Sequence, residues 1–171
     1  MITDPPYLGF GFTHENYHDQ IKPFLELMLM CSYPTNRIAI SQPKFRLQDF
    51  SASFGLDRLL VIPDAFEDSR GEDANFLLRN PVRMVPRKYE PWSNFCATEH
   101  PNARNVVKMA ALVDVMTYPE DTILDPFCGS GSIGLAAVML GRGYIGIELL
   151  ESRAKDASRR FDQIGSARLQ I

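Results

Sequence analysis

Between residues 122 and 163 the chain reads as strand, glycine turn, helix, strand and helix, and no other stretch restricts the fold as strongly. Thr122-Ile123-Leu124-Asp125 and Tyr144-Ile145-Gly146-Ile147 are short apolar runs, whereas residues 132–140 and 151–163 carry apolar residues at helical spacing. Strands and helices alternating at these lengths predict a βαβα unit built on a parallel sheet. The expected fold class is therefore α/β, with one doubly wound, mostly parallel sheet. In such sheets ligands collect outside the carboxyl ends of the strands, where the turn after a strand lets a ligand approach the backbone.

That turn is Pro126-Phe127-Cys128-Gly129-Ser130-Gly131, following Asp125. Gly129 and Gly131 remove Cβ atoms at the turn. Glu148 closes the next strand about twenty residues on, the usual distance for a carboxylate that accepts hydrogen bonds from a ribose diol. The pattern outlines a nucleoside pocket. Gly129, Gly131 and Gly134 also match the spacing of the dinucleotide fingerprint, so a pyrophosphate ligand is one reading and S-adenosylmethionine the other. Asp125 favours the second, because a carboxylate at the strand end repels pyrophosphate but accepts a bond from an ammonium group. Without a ligand, the glycines would serve only tight strand-to-helix packing.

The chain begins Met1-Ile2-Thr3-Asp4-Pro5-Pro6-Tyr7, in which Met1-Ile2-Thr3 reads as the stub of a strand. An exocyclic amino group on adenine or cytosine is a poor nucleophile, because its lone pair is delocalised into the ring. A carboxylate and a backbone carbonyl that accept its two N–H bonds pull the nitrogen toward tetrahedral geometry and stabilise the charge that develops during attack. Asp4 and the Pro5 carbonyl suit that task. Pro5 and Pro6 fix the backbone and bring no competing N–H, and Tyr7 offers a flat face to a base. A base inside a duplex cannot reach such a loop, which implies a flipped or single-stranded nucleotide. As a bare string the four residues could also be a simple turn.

Elsewhere the signals are weaker. Residues 19–31 are predicted helical, with Ile21, Phe24, Leu25, Met28 and Leu29 on the apolar side, and residues 37–41 and 59–62 read as short strands. Residues 64–75 have loop composition, 82–85 read as a strand between Pro81 and Pro86, and a short element is expected over 92–97. Residues 105–117 read as a helix. His14 and His18 read as a solvated surface rather than a metal site, so no metal is expected. Tyr89 and Trp92 are read as core rather than base-stacking residues. The run Arg153, Lys155, Arg159, Arg160 in the last helix is expected to face solvent.

With 171 residues and 45% apolar content, one domain spanning 1–171 is expected, in which 63–99 is a reduced recognition or loop region. A net charge of −3 argues against indiscriminate coating of nucleic acid, which depends on neutralising many phosphates. A local basic patch survives in Arg79, Arg83, Arg87 and Lys88, the residues expected on phosphates, with a solvated charged face as the other reading. Cys31, Cys96 and Cys128 form no ligand or disulfide pattern and read as reduced thiols of a cytoplasmic protein. No apolar run approaches the roughly 18 residues of a membrane span.

Asp4-Pro5-Pro6-Tyr7, His100-Pro101-Asn102-Ala103-Arg104-Asn105, residues 123–132 and Tyr144-Ile145-Gly146-Ile147-Glu148 together resemble DNA amino-methyltransferases of the permuted β class. In that class the catalytic loop precedes the cofactor motif, as it does here. The resemblance implies the Rossmann-like S-adenosylmethionine-dependent methyltransferase fold in permuted order, and methyl transfer to an amino nitrogen of DNA. It implies that Asp4, Pro5, Pro6 and Tyr7 are catalytic and that Asp125, Phe127, Gly129, Ser130, Gly131 and Glu148 hold S-adenosylmethionine. His100, Pro101 and Asn105 would wall the methionine end. The Asp-led loop favours adenine over cytosine.

Family members usually carry some tens of residues before this loop, so the sheet is expected to lack most of one strand, and the usual Lys-Pro pair is here Arg104-Asn105. Two expectations follow. One is a catalytically weak or inactive module that keeps the fold for binding or assembly; the other is a homodimer formed through an exposed sheet edge near Ile2. RNA as substrate is disfavoured by the order of the motifs.

Overall fold

The computed structural model describes residues 1–5, 22–41, 55–62, 74–85 and 105–168. The readings at Pro6, Tyr7, His14, His18, Arg87, Lys88, Tyr89, Trp92, Cys96, His100 and Pro101 lie outside the described residues. In chain order the elements are β1 (Ile2–Thr3), α1 (Lys22–Met30), β2 (Ile38–Ser41), β3 (Arg58–Ile62), β4 (Ala74–Arg79), α2 (Val106–Met116), β5 (Thr122–Asp125), α3 (Ser132–Met139), β6 (Gly143–Gly146) and α4 (Glu151–Arg168).

The two-residue period of a strand divides the core between two faces. Ile38 and Ile40 of β2 and Leu77 of β4 pack with Leu25 and Leu29 of α1, which stand four apart on one side of that helix. Ala39, Phe76 and Leu78 turn the other way and join the larger cluster formed by α2, α3 and Ile123. Both faces of the sheet are thus covered, giving the layered α/β arrangement expected. All eleven residues of α2 are buried, as suits a helix apolar nearly all round. Asn105 caps it, accepting from the backbone N–H of Val107 at 2.8 Å and of Lys108 at 3.4 Å.

Hydrogen bonding runs in the order β1-β2-β4-β3, with β5-β6 as a separate ladder. β1 and β2 are parallel, Ile2 opposite Ala39, and so are β5 and β6, Thr122 opposite Gly143. β4 runs antiparallel to both β2 and β3. β1 lies beside β5, and their carboxyl ends meet where the Thr3 hydroxyl donates to Asp125 Oδ1 at 2.9 Å.

Several expectations require correction. Residues 82–85 form no strand; instead the Val82 and Arg83 N–H groups both donate to the Val115 carbonyl at the end of α2. Prolines on either side deprive such a segment of ladder donors. The strand is β4, whose start overlaps the region of loop composition; its centre Phe76-Leu77-Leu78 is covered on both faces and so shows no alternation to read. α4 continues past residue 163 to Arg168. The edge near Ile2 is not exposed, because Ile2 and Thr3 are 1% and 0% accessible between β2 and β5, which removes the basis offered for a homodimer. Among the described residues no helix is long and apolar enough to cross a membrane.

Candidate active site

Asp125 ends β5 and is 1% exposed. Its Oδ1 accepts from the Thr3 hydroxyl and, at 3.2 Å, from the Phe127 N–H; its Oδ2 accepts from the Tyr144 hydroxyl at 3.2 Å. One carboxylate therefore ties together β1, β5, β6 and the start of the glycine turn. Burial pushes it up to about 7, against the opposing pull of the bonds from Thr3, Phe127 and Tyr144, and the nearby Asp4 charge raises it slightly further. Burial and Asp125 also push the Tyr144 phenol well up, keeping it a hydrogen-bond donor. The same contact places Asp4, first residue after β1, next to the end of the strand that opens the glycine turn. Pro5 beside it is buried.

The three glycines of the turn have different tasks. Gly134 lies inside α3 where a Cβ would stand 2.3 Å from the Tyr144 ring and 2.6 Å from Phe161, so its small size serves packing. At Gly131, φ +80°, a Cβ would stand 3.1 Å from Ala157 and 3.2 Å from Phe161 of α4. Gly129, at φ +53°, has nothing within 4 Å of a built Cβ and so borders open space. Of the three, only this glycine leaves room beside the backbone for a ligand. The dinucleotide spacing thus dissolves into two packing glycines and one open one.

Glu148 stands across that opening. Its Oε2 accepts from the Gly129 N–H and its Oε1 from the Leu150 N–H, both at 2.9 Å. These two bonds fix the carboxylate and leave a further acceptor position on each oxygen, which matches a vicinal diol. Phe127 is half-buried, its ring meeting Phe24 of α1 edge-on at 5.4 Å. Cys128 is half-buried too, and burial pushes its thiol up to about 11, which keeps it protonated and unreactive.

Arg160 was expected on the solvated side of the last helix and is instead 6% exposed. Its Nη1 donates to the Ser130 carbonyl at 2.6 Å, to Ser130 Oγ at 3.1 Å and to Ser132 Oγ at 3.4 Å. The guanidinium thereby clamps the turn from beneath. Its register with Ala157 and Ile164, both buried, was the signal available in the sequence: the three lie on one stripe of the helix. Lys155 and Arg159 do face solvent, pairing with Glu151 and Asp156.

Arg79 and Arg83 are not brought to the Asp4 end. Arg79 closes β4 opposite Ile38, at the start of β2, and its Nη2 donates to Ser32 Oγ at 2.5 Å and to the Tyr33 carbonyl at 3.2 Å. The cleft it helps line, about 720 Å³ with Ser32, Arg58 and Asn80, is likewise at the far end of the sheet. Arg83 pairs with the buried Asp114 of α2. Both guanidiniums hold the fold together. The Asn105 side-chain oxygen caps α2.

Comparison with known proteins agrees with this geometry. A family model described as DNA methylase, of the N6/N4 type, matches residues 62–159. The chain is 28% identical over 195 aligned positions to YubD of Escherichia coli (strain K12), described as a methylase, covering 99% of this chain and 84% of that protein. Its fold is similar to that of M1.HpyAVI solved as a SAM complex, with a TM-score of 0.63 at 21% identity, covering 94% of this chain and 86% of the other. It is similar also to the cytosine-N4-specific PvuII DNA methyltransferase, with a TM-score of 0.65 at 16% identity, covering 94% and 78%.

Proposed function

Because this chain belongs to the N6/N4 DNA methylase family, and is by that membership an S-adenosylmethionine-dependent DNA amino-methyltransferase, we propose that its target is adenine N6 and its subclass the permuted β class. The observation that carries the site assignment is the junction at Asp125, where the strand leading to Asp4 meets the strand leading to the open glycine turn. Methyl donor and methyl acceptor must be adjacent, and these two carboxyl ends are. The Asp-led loop, in place of the Ser-led one, supports adenine.

The pocket residues fit S-adenosylmethionine: Gly129 leaves open space, Glu148 is fixed with acceptor positions to spare, and Phe127 supplies an apolar wall. Bound there, the cofactor supplies an electrophilic methyl on a sulfonium. The chain's own residues do the rest. Asp4 and the Pro5 carbonyl accept the two N–H bonds of the target amino group, localise its lone pair and stabilise the positive charge that develops on nitrogen. Tyr7 stacks on the base. No covalent enzyme intermediate is needed, and the rate gain comes from holding the reactants at near-attack distance. Asp125 accepts the cofactor's ammonium through its remaining acceptor position, with His100 and Pro101 walling the methionine end.

The substrate is DNA with the target base flipped or single-stranded. Phosphate contact falls to Arg87 and Lys88, since Arg79 and Arg83 are engaged in the fold. A DNA substrate implies a cytoplasmic enzyme. The open, carboxylate-bearing pocket favours this reading over a non-catalytic assembly module.

Mass analysis of nucleosides from mixed-sequence DNA incubated with the protein and S-adenosylmethionine is expected to show N6-methyladenine. N4-methylcytosine in its place would reverse the base assignment, and unmodified DNA would sink the enzymatic one. In the same preparation, Arg160→Met, which removes the clamp on Ser130 while keeping the length of the side chain, is expected to weaken S-adenosylmethionine binding about tenfold by calorimetry. Unchanged affinity would show that the turn holds its shape without Arg160.

A further inference from the structure

The β1–β2 and β5–β6 ladders are hydrogen-bonded separately, yet the reaction requires Asp4 and the glycine turn to keep one fixed relation. Thr3 stands at that seam. It is wholly buried, it is the residue before Asp4, and its hydroxyl crosses 122 positions of sequence to reach Asp125 Oδ1 at 2.9 Å. We propose that Thr3 is a positioning residue for methyl transfer, its hydroxyl locking the catalytic strand to the cofactor strand through Asp125. The proposal rests on the methyltransferase reading of the same site.

The physical case has two parts. A two-residue strand is held to β2 by very few backbone bonds, and on its other side the Thr3 hydroxyl supplies a link to β5. In-line transfer tolerates little misplacement: a shift of about 1 Å can cost on the order of a hundredfold in rate. The same bond also stabilises the charged form of Asp125. The groups facing that carboxyl among the described residues are Asp4 after β1, Tyr144 on β6, Cys128 in the turn and the amino group of Met1. Thr3 differs from all of these in being uncharged at any pH, so removing its hydroxyl alters hydrogen bonding without altering charge.

Thr3→Val keeps the branched shape and the strand preference but deletes the donor; Thr3→Ser restores the donor and deletes the methyl. In protein carrying 13C-labelled aspartate, without cofactor or DNA, the Asp125 carboxyl is expected to titrate near 7. Because that value exceeds the unfolded one of 3.8, its contribution to stability is complete below about pH 4 and is lost as pH rises through about 7. In Thr3→Val the midpoint should move up by about one pH unit, and in Thr3→Ser it should return. With DNA and saturating cofactor, Thr3→Val should lower kcat roughly ten- to a hundredfold with KM for DNA within about threefold, and Thr3→Ser should recover most of the rate. An unmoved Asp125 titration in Thr3→Val, or a moved titration with unaltered kcat, would overturn the proposal. Absence of transfer by the wild-type protein would sink the functional reading and the positioning role together, and a titration that still shifts and recovers identifies that failure as one of function rather than of the Thr3 bond.

Discussion

Asp4→Ala will reduce methyl incorporation by several hundredfold to about a thousandfold while leaving S-adenosylmethionine affinity within roughly threefold of the wild type. Loss of a single preorganised partner for developing charge typically costs a hundred- to a thousandfold in kcat. In the proposed mechanism the lost group is also one of the two acceptors that localise the amino lone pair, so the upper part of that range is expected. Asp4→Asn keeps the shape and an amide oxygen that still accepts one N–H but loses the negative charge. It should therefore be impaired less severely than Asp4→Ala. Asp4 follows β1, whereas Glu148 is fixed by the Gly129 and Leu150 N–H groups, which is why cofactor binding should persist. Incorporation within tenfold of the wild type in Asp4→Ala, measured with labelled cofactor on mixed-sequence DNA, would remove Asp4 from the chemistry.

The largest stability effect is expected at Arg83. Asp114 lies in the last turn of α2, its side chain 1% exposed, and the Arg83 side chain, 26% exposed, reaches over to pair with it. Truncating Arg83 removes one charge-assisted bond from a buried carboxylate that keeps its other interactions, at a cost of about 1.5–3 kcal/mol. For a chain of this length that corresponds to a fall of roughly 3–12 °C in Tm. Arg83→Ala should show that fall, and Asp114→Asn in the same background should restore part of it by removing the buried charge. The alternative from sequence was a phosphate contact. An Arg83→Ala protein with unchanged Tm and weakened DNA binding would reinstate it.

The last third of the chain was legible because its signals are local. From Asn105 onward the cap, the helices and the parallel pair β5–β6 follow from apolar spacing and turn chemistry, and the observed ends agree within a few residues apart from the longer α4. Asp125, Gly129 and Glu148 were recognisable for the same reason: the turn, the strand end and the acidic residue some twenty positions on form one short supersecondary unit. β4 was not legible, because a strand buried on both faces loses its alternation and its run Phe76-Leu77-Leu78 carries no β-branched residue. The basic residues were misjudged for a related reason. Charge in a sequence reads as surface, whereas Arg79, Arg83 and Arg160 each have partners distant in the chain: Ser32 and Tyr33, Asp114, and Ser130.

By itself the sequence determined the chemistry this protein is built for, since Asp4-Pro5-Pro6-Tyr7 and the turn after Asp125 each state a local chemical requirement in contiguous residues. Tertiary structure alone decided how the two are joined. Thr3, Tyr144 and Asp125 meet through bonds spanning 122 and 19 positions, and Arg160 reaches 30 positions back to the turn. No periodicity records such contacts, because they depend on which strand ends the fold sets side by side.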